Sequence, residues 1–224
     1  MRFVYGLSCA AILFLAGCSD HATSPANTSG TKYIYPLATG DVRIYVDSLF
    51  FSDGTVAQVA FDTEWVGMTV LVQNEIWYVV SNNEYPRGDL YANRSDGYWN
   101  NFSNRSSLNY KYPAVTGEIY NDKIDTFFVQ QGHIQADHQY TKVASIDTTI
   151  SAGDSIYICY YYQTFLYSFN DVDTGFHKPW FETYVCPGIG KVRDQSSFDE
   201  TWTKDGTPVK NGTESLTLVK YLLK

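Results

Sequence analysis

Four cysteines and four histidines are the residues of this 224-residue chain with the widest chemical range. Cys159 and Cys186 stand in segments that read as strands on either side of Asn170–Gly175. Cys159 to Phe169 and Cys186 to Phe176 are ten steps each. A symmetric turn therefore sets the two cysteines opposite each other, with Cα atoms about 4.5–5.5 Å apart and within reach of a disulfide. We expect that disulfide. The spacing is unlike C-x-x-C, which argues against zinc or thiol redox catalysis. Among the histidines, His133 and Asp137-His138 suggest a metal or acid–base cluster, but residues five apart on a strand point to opposite faces. No H-E-x-x-H pattern is present, and no metal site is expected. Asn170-Asp171-Val172-Asp173-Thr174-Gly175 faintly resembles a calcium loop without its glutamate, and reads better as a hairpin turn. Asp62 and Glu64 share one strand face, a spacing common on solvated surfaces. No G-x-S-x-G elbow occurs. No catalytic residue and no cofactor are expected, and the chain is read as a non-enzyme.

Cys18 is a different case. It closes the apolar stretch Phe3–Ala16, which follows Met1-Arg2 and ends Leu15-Ala16-Gly17-Cys18. Such a stretch is too short for a spanning helix and has the form of a signal h-region. The ending matches a bacterial lipobox, in which the cysteine thiol takes a diacylglyceryl group before cleavage. This divides the chain into a lipoprotein signal peptide at 1–17, a flexible tether at 18–32 and a domain at 33–224. The tether is rich in Ser, Thr, Ala, Asn, Gly and Pro, a composition that cannot bury a core. The expected partner is a membrane, reached through the lipid on Cys18, and the expected place is the bacterial cell envelope. Ser19 rather than Asp after the lipidated position points to the outer membrane by the enterobacterial sorting rule.

The elements that must position these residues are strands. Hydrophobic residues are 44% and charged residues 18%, which excludes general disorder, and 19 Tyr stand against 2 Met. A net charge of −8 argues against nucleic acid as a partner. Val42–Phe51 and Thr55–Phe61 flank Asp53-Gly54, a hairpin signal read as a type I′ turn. Val66–Gln73 pairs with Ile76–Val80 around Asn74. Further strands are expected at Ile124–Gln131, Tyr140–Ile150, Ser155–Phe169, Phe176–Cys186, Val192–Trp202 and Ser215–Leu222, punctuated by Asp205-Gly206 and Asn211-Gly212. The fold expected is all-β, a single antiparallel sheet of about ten strands curled into an open or flattened barrel. At most one short helix is expected, within Glu75–Tyr112 or Gly132–Tyr140.

Arg87–Tyr112 holds five Asn, four Ser, three of the six Arg and six aromatic residues. Rigid rings among short polar groups are the palette of recognition loops. A protein or glycan partner could dock there, on Tyr98, Trp99, Phe102, Arg94 and Arg105, and Asp96-Gly97 would place the two rings after it near a loop tip. Tyr157, Tyr160, Tyr161 and Tyr162 make both faces of one strand apolar or aromatic, so a curved sheet could also enclose an apolar ligand. The function expected is a non-catalytic binding or structural module, with a glycan hydrolase or an apolar-ligand carrier as alternatives.

Three stretches carry a resemblance. Tyr33-Ile34-Tyr35-Pro36-Leu37-Ala38-Thr39-Gly40 resembles a Y-x-P-L-x-x-G opening. Ile150-Ser151-Ala152-Gly153-Asp154-Ser155-Ile156-Tyr157-Ile158-Cys159-Tyr160 resembles a V-P-A-G-T-F-x-C-Y strand. Tyr184-Val185-Cys186-Pro187-Gly188-Ile189-Gly190-Lys191-Val192 resembles a Y-x-A-P-G-V-G-L-V-K segment. In this order they are similar to small exported bacterial lipoproteins whose functions are largely unassigned. The chain departs from them at Ser151, where proline is usual, and at Arg43 or Ile44, where an aromatic is. The resemblance implies an open antiparallel barrel and export, and brings no catalytic residue. Gly188 and Gly190 read as a bulge or bend between strands.

Overall fold

The computed structural model describes residues 32–102, 105–128, 134–170, 179–203 and 205–224. All regular structure among them is strand: β1 (Val42–Phe50), β2 (Val56–Val72), β3 (Glu75–Ser81), β4 (Asp89–Arg94), β5 (Gly97–Phe102), β6 (Arg105–Lys111), β7 (Ile119–Phe128), β8 (Ile134–Ala152), β9 (Ser155–Asn170), β10 (Phe181–Cys186), β11 (Gly190–Trp202) and β12 (Pro208–Leu222). They form one antiparallel sheet in the order β6-β5-β4-β3-β2-β1-β12-β11-β10-β9-β8-β7. Strands consecutive in sequence pair with each other except β6 and β7, which are the two free edges, and β1 closes on β12. The molecule is a meander barrel left open by one seam. The strands number twelve rather than ten, and the short helix is not found among the described residues.

Two differences from the sequence reading have one cause. The strands expected at Thr55–Phe61 and Val66–Gln73 are one: β2 runs through Asp62–Trp65 as a single strand of 17 residues. Arg87–Tyr112 is likewise a regular meander of β4, β5 and β6. In both places polar side chains looked like interruptions, whereas an open barrel gives polar groups an interior to face.

Turn chemistry fixes the hairpins. Asp53-Gly54 joins β1 and β2, but only Gly54 has positive φ (82°), and Asp53 Oδ1 accepts the Thr55 N–H at 2.9 Å. The connection is thus wider than a two-residue I′ turn. The I′ signature, positive φ at both central residues, falls instead at Gln73 (50°) and Asn74 (67°). Gly188 and Gly190, at φ 80° and 101°, turn β10 into β11. Asn211-Gly212 is not a turn: both residues lie within β12, where Gly212 packs beneath the Phe198 ring and the Phe50 carbonyl.

Register shifts curl the sheet. Two of them, at Val143/Ser145 and Ser145/Thr148, bend the β8–β9 hairpin. Its end comes back over the sheet, with Gly153 beside the Val219 backbone and Arg193 Nη2 donating to the Ser151 carbonyl at 3.1 Å. Another, at Tyr120/Lys123 in β7, turns Asn121 so that its amide donates to the Leu108 carbonyl of β6. Tyr120 Oη bonds the Asn109 carbonyl and Tyr162 Oη the Lys111 carbonyl, each at 2.7 Å. Side chains thereby satisfy carbonyls along the β6 edge, which closes the seam without extending the ladder.

The segment before β1 enters the barrel. Tyr35 is 2% exposed and stacks on Tyr98 with ring centroids 4.4 Å apart. Tyr91, Tyr110 and Tyr162 continue the stack across β4, β6 and β9. Arg43, wholly buried, donates from Nη2 to the Pro36 carbonyl (2.8 Å), from Nε to the Ile189 carbonyl (2.9 Å) and from Nη1 to Glu64 (3.1 Å). It ties the strap at Tyr33–Gly40 to the glycine turn at 188–190, two of the segments that carry the family resemblance. Buried Asp41 accepts the Lys224 N–H at 2.8 Å, fixing the chain's last residue beside β1.

Candidate functional site

Strand alternation decides what the lumen contains. On β1 the inward series is Arg43, Tyr45, Asp47 and Leu49, and opposite them on β2 stand Glu64, Asp62, Ala60 and Gln58. On β12 the same rows end in Leu218, Leu216 and Glu214, and on β11 in Asp194 and Ser196. The lower half is filled. Tyr35 Oη donates to both Glu64 carboxylate oxygens, at 2.7 and 2.9 Å, and Tyr45 Oη to the Lys191 carbonyl at 3.3 Å. Burial, followed by the nearby Glu64 charge, pushes both tyrosines well above the ordinary phenol range, so they stay protonated as donors.

The upper half is open. A cavity of about 380 Å³ is lined by Asp47, Asp62, Glu84, Asp194 and Glu214, by the amides of Gln58, Asn82, Asn83 and Gln195, and by Leu49, Phe181 and Leu216. Among the described residues no lysine or arginine lines it. The connection from β3 to β4 crosses its rim: the Asn83 N–H donates to Asp62 Oδ1 at 3.2 Å, and Asn83 Nδ2 to the Phe61 carbonyl at 3.2 Å. A wall and the floor are linked, since Tyr110 hydrogen-bonds Thr183, whose hydroxyl donates to Asp194 Oδ1 at 2.7 Å. Lys191 Nζ reaches Asp194 Oδ2 at 3.5 Å. Partial burial, with the charges of Asp47 and Glu84, raises the Glu214 carboxyl to about 6. The arrangement concentrates negative charge in a concave, partly shielded volume, which favours a cation with hydrogen-bond donors and some apolar surface.

The docking group expected at 87–112 is divided by the structure. Tyr98 belongs to the core, 3% exposed, because it is the second residue of β5 rather than a loop tip. Arg94 is held by Glu75 at 2.6 and 2.8 Å and lies over the Trp99 ring at 4.4 Å. Trp99 is half-buried and donates from Nε1 to Asp96 at 2.8 Å. Phe102, 70% exposed, and Arg105 face each other at the β5–β6 tip, and they alone of the five stand open to solvent. Sequence reasoning missed the lumen carboxylates. Asp62 and Glu64, assigned to a solvated face, point inward, and the signal that could have found them was their parity with Tyr45 and Arg43 across the first hairpin.

His138 pairs with Asp122, and His133, with which it was weighed and set aside as a cluster, lies outside the described residues, as do His21, His177 and Cys18. Among the described residues no group of three or more His, Cys, Asp or Glu has the geometry to hold a metal ion. The β9–β10 register runs from Thr164↔Phe181 to Tyr160↔Val185, so the next step sets Cys159 against Cys186. Both thiols are buried, unbonded and hydrogen-bonded to each other. That bond and burial push Cys159 up, while the same bond lowers Cys186. The carboxylate lining also sets the cavity against the apolar ligand expected as one alternative.

No family model and no curated protein matches the chain. Two crystal structures are similar to it. One is a protein described as exported, with a YmcC-like fold, from Bacteroides fragilis NCTC 9343, at TM-score 0.40 and 9% identity over 86% of this chain and 100% of that one. The other is described as a lipoprotein from Parabacteroides distasonis ATCC 8503, at TM-score 0.35 and 10% identity over 86% of this chain and 99% of that one.

Proposed function

We propose that this chain is a lipid-anchored protein of the bacterial cell envelope, held through Cys18 in the outer membrane, and that its open barrel is a non-catalytic binding module for a small cationic ligand. The observation that carries the ligand reading is the cavity itself: about 380 Å³, five carboxylates, and no lining cation among the described residues. At this size it suits a polyamine or a basic side chain with its neighbours. The anchor reading rests on the lipobox ending at Cys18 and on the Ser-, Thr- and Asn-rich segment expected as a tether between it and the domain. The apposed Cys159 and Cys186 complete the proposal as a disulfide formed after export.

Calorimetric titration of the full chain with spermidine tests the ligand reading, with maltose as the uncharged comparison. Spermidine is expected to bind with an affinity that falls as salt rises. Changing Asp62 and Asp194 together to Asn is expected to weaken it at least fivefold. Absence of binding, or binding indifferent to that double substitution, would discard the ligand reading.

A further inference from the structure

The mouth of the lumen has a second property, which rests on the ligand reading above. Glu214 on β12 and Asp47 on β1 are diagonal neighbours, since Asp47 pairs with Leu216 and Leu49 with Glu214. Both line the cavity, on adjacent strands and the same face of the sheet, and Asp47 helps to raise the Glu214 carboxyl. Two carboxyls that hydrogen-bond to each other need a proton on one of them. The groups that face the pair are Glu84 from the β3–β4 connection, Asp62 from β2 and Asp194 from β11, while β10 offers the uncharged Phe181. Lys191 is engaged with Asp194 and does not line the cavity. Each additional negative charge therefore meets four others, and among the described lining residues there is no lysine or arginine.

We propose that Glu214 and Asp47 hold one shared proton at the mouth of the lumen, and that releasing this proton is what charges the cavity to take a cation. The geometry makes the pair titrate as a unit. Glu214 is lifted to about 6 by partial burial and by Asp47 and Glu84, in the direction this sharing requires. Below pH 5 the pair keeps its proton and the cavity holds one charge fewer. Above pH 7 both carboxylates are ionised. A polyamine stays cationic across this range, so the change belongs to the protein. With a midpoint near 6, the ionised fraction falls about tenfold between pH 7.5 and 5, and affinity for a cation that needs it falls by the same factor.

Two measurements on the full chain test this. The first is spermidine affinity at pH 7.5, 6.5, 5.5 and 5.0 at constant ionic strength, for the parent chain and for Glu214→Gln. The second is the ¹³C carboxyl titration of Glu214, for the parent and for Asp47→Asn. The expected result is about a tenfold loss of affinity towards pH 5, a flattened profile in Glu214→Gln, and a Glu214 midpoint near 6 that falls in Asp47→Asn. Spermidine that binds equally at pH 7.5 and 5.0 overturns the shared proton and leaves the ligand reading standing. Spermidine that binds at no pH overturns the ligand reading, and the carboxyl titration then decides the proton. A midpoint near 6 that depends on Asp47 supports sharing, and one near the ordinary value of 4.5 overturns it.

Discussion

Arg43 is a fully buried cation, which has to be justified by its partners. It has three: the Pro36 and Ile189 carbonyls and Glu64. The Tyr35 ring lies 4.3 Å from its guanidinium carbon, adding a cation–π contact. Arg43→Met keeps the apolar stem but leaves Glu64 without its cation and two carbonyls without donors. Loss of one member of a buried pair costs about 3–5 kcal/mol, so urea denaturation of this variant is expected to show a loss of that size. A loss under about 1 kcal/mol would show that the strap and the glycine turn do not depend on Arg43. Tyr98 and Phe102 make a second contrast within one strand. Tyr98→Ala should cost about 3–5 kcal/mol as a core truncation, and Phe102→Ala no more than about 0.5. The reverse order would return Tyr98 to the surface role its place after Asp96-Gly97 suggested. Residue type was readable at these positions and environment was not. A run such as Tyr98-Trp99 supplies one ring to each environment, and strand parity, invisible until the strand is located, decides which ring is the core one.

Cys159 and Cys186 show how much an element-level count can supply and where it stops. Equal distances to the centre of the turn place them opposite each other, and the register of β9 and β10 puts them at the same pairing. The count needs only one parameter of an antiparallel pair, the turn centre, which the sequence reading set within Asn170–Gly175. After export an oxidant of the disulfide class is expected to take the two thiol hydrogens and join the sulfurs. On the chain-entropy model the closed loop contributes about 3.5 kcal/mol. Thiol trapping with mass spectrometry of the unreduced, exported protein should find no free thiol at either position, and two trapped thiols would remove the bond. Elsewhere the turns gave less. Asp53-Gly54 was readable as a hairpin but not as a wide one, and Asn211-Gly212, a turn signal in sequence, is absorbed into β12. The long strand β2 was hidden by its own carboxylates. A run of Asp62-Thr63-Glu64-Trp65 is a poor strand in a two-layer protein with a dry core, and an ordinary one in a barrel whose lumen is wet.

On the scale of the whole molecule, the all-β class and the open barrel were legible, because strand and turn periodicity is a local signal. The seam between β6 and β7 was not, because nothing local distinguishes an edge strand from its neighbours until side chains such as Asn121 and Tyr120 are seen bonding to the β6 carbonyls. The topology has a consequence for the anchor. Tyr33–Gly40 is fastened inside the barrel by Arg43 and by Asn93, whose amide donates to the Tyr35 carbonyl at 2.9 Å. Under the proposed anchor, any pull on the tether would therefore reach the core directly. Thirteen residues separate Cys18 from Lys32. A flexible coil of that length would span about 20 Å, so the proposed anchor would keep the barrel close to the bilayer. Under the proposed lipidation the acyl chains would supply the attachment, at about 0.8 kcal/mol per buried CH₂, enough for a multiply acylated cysteine to hold firmly without any spanning segment. Cys18→Ala removes the acceptor thiol and nothing in the barrel. The variant should therefore keep the parent's melting temperature and its spermidine titration while leaving the membrane fraction. If it still sediments with membranes and is released only by detergent, the anchor lies elsewhere in the chain. If it is released but no longer folds, the tether and the strap act as one element rather than two.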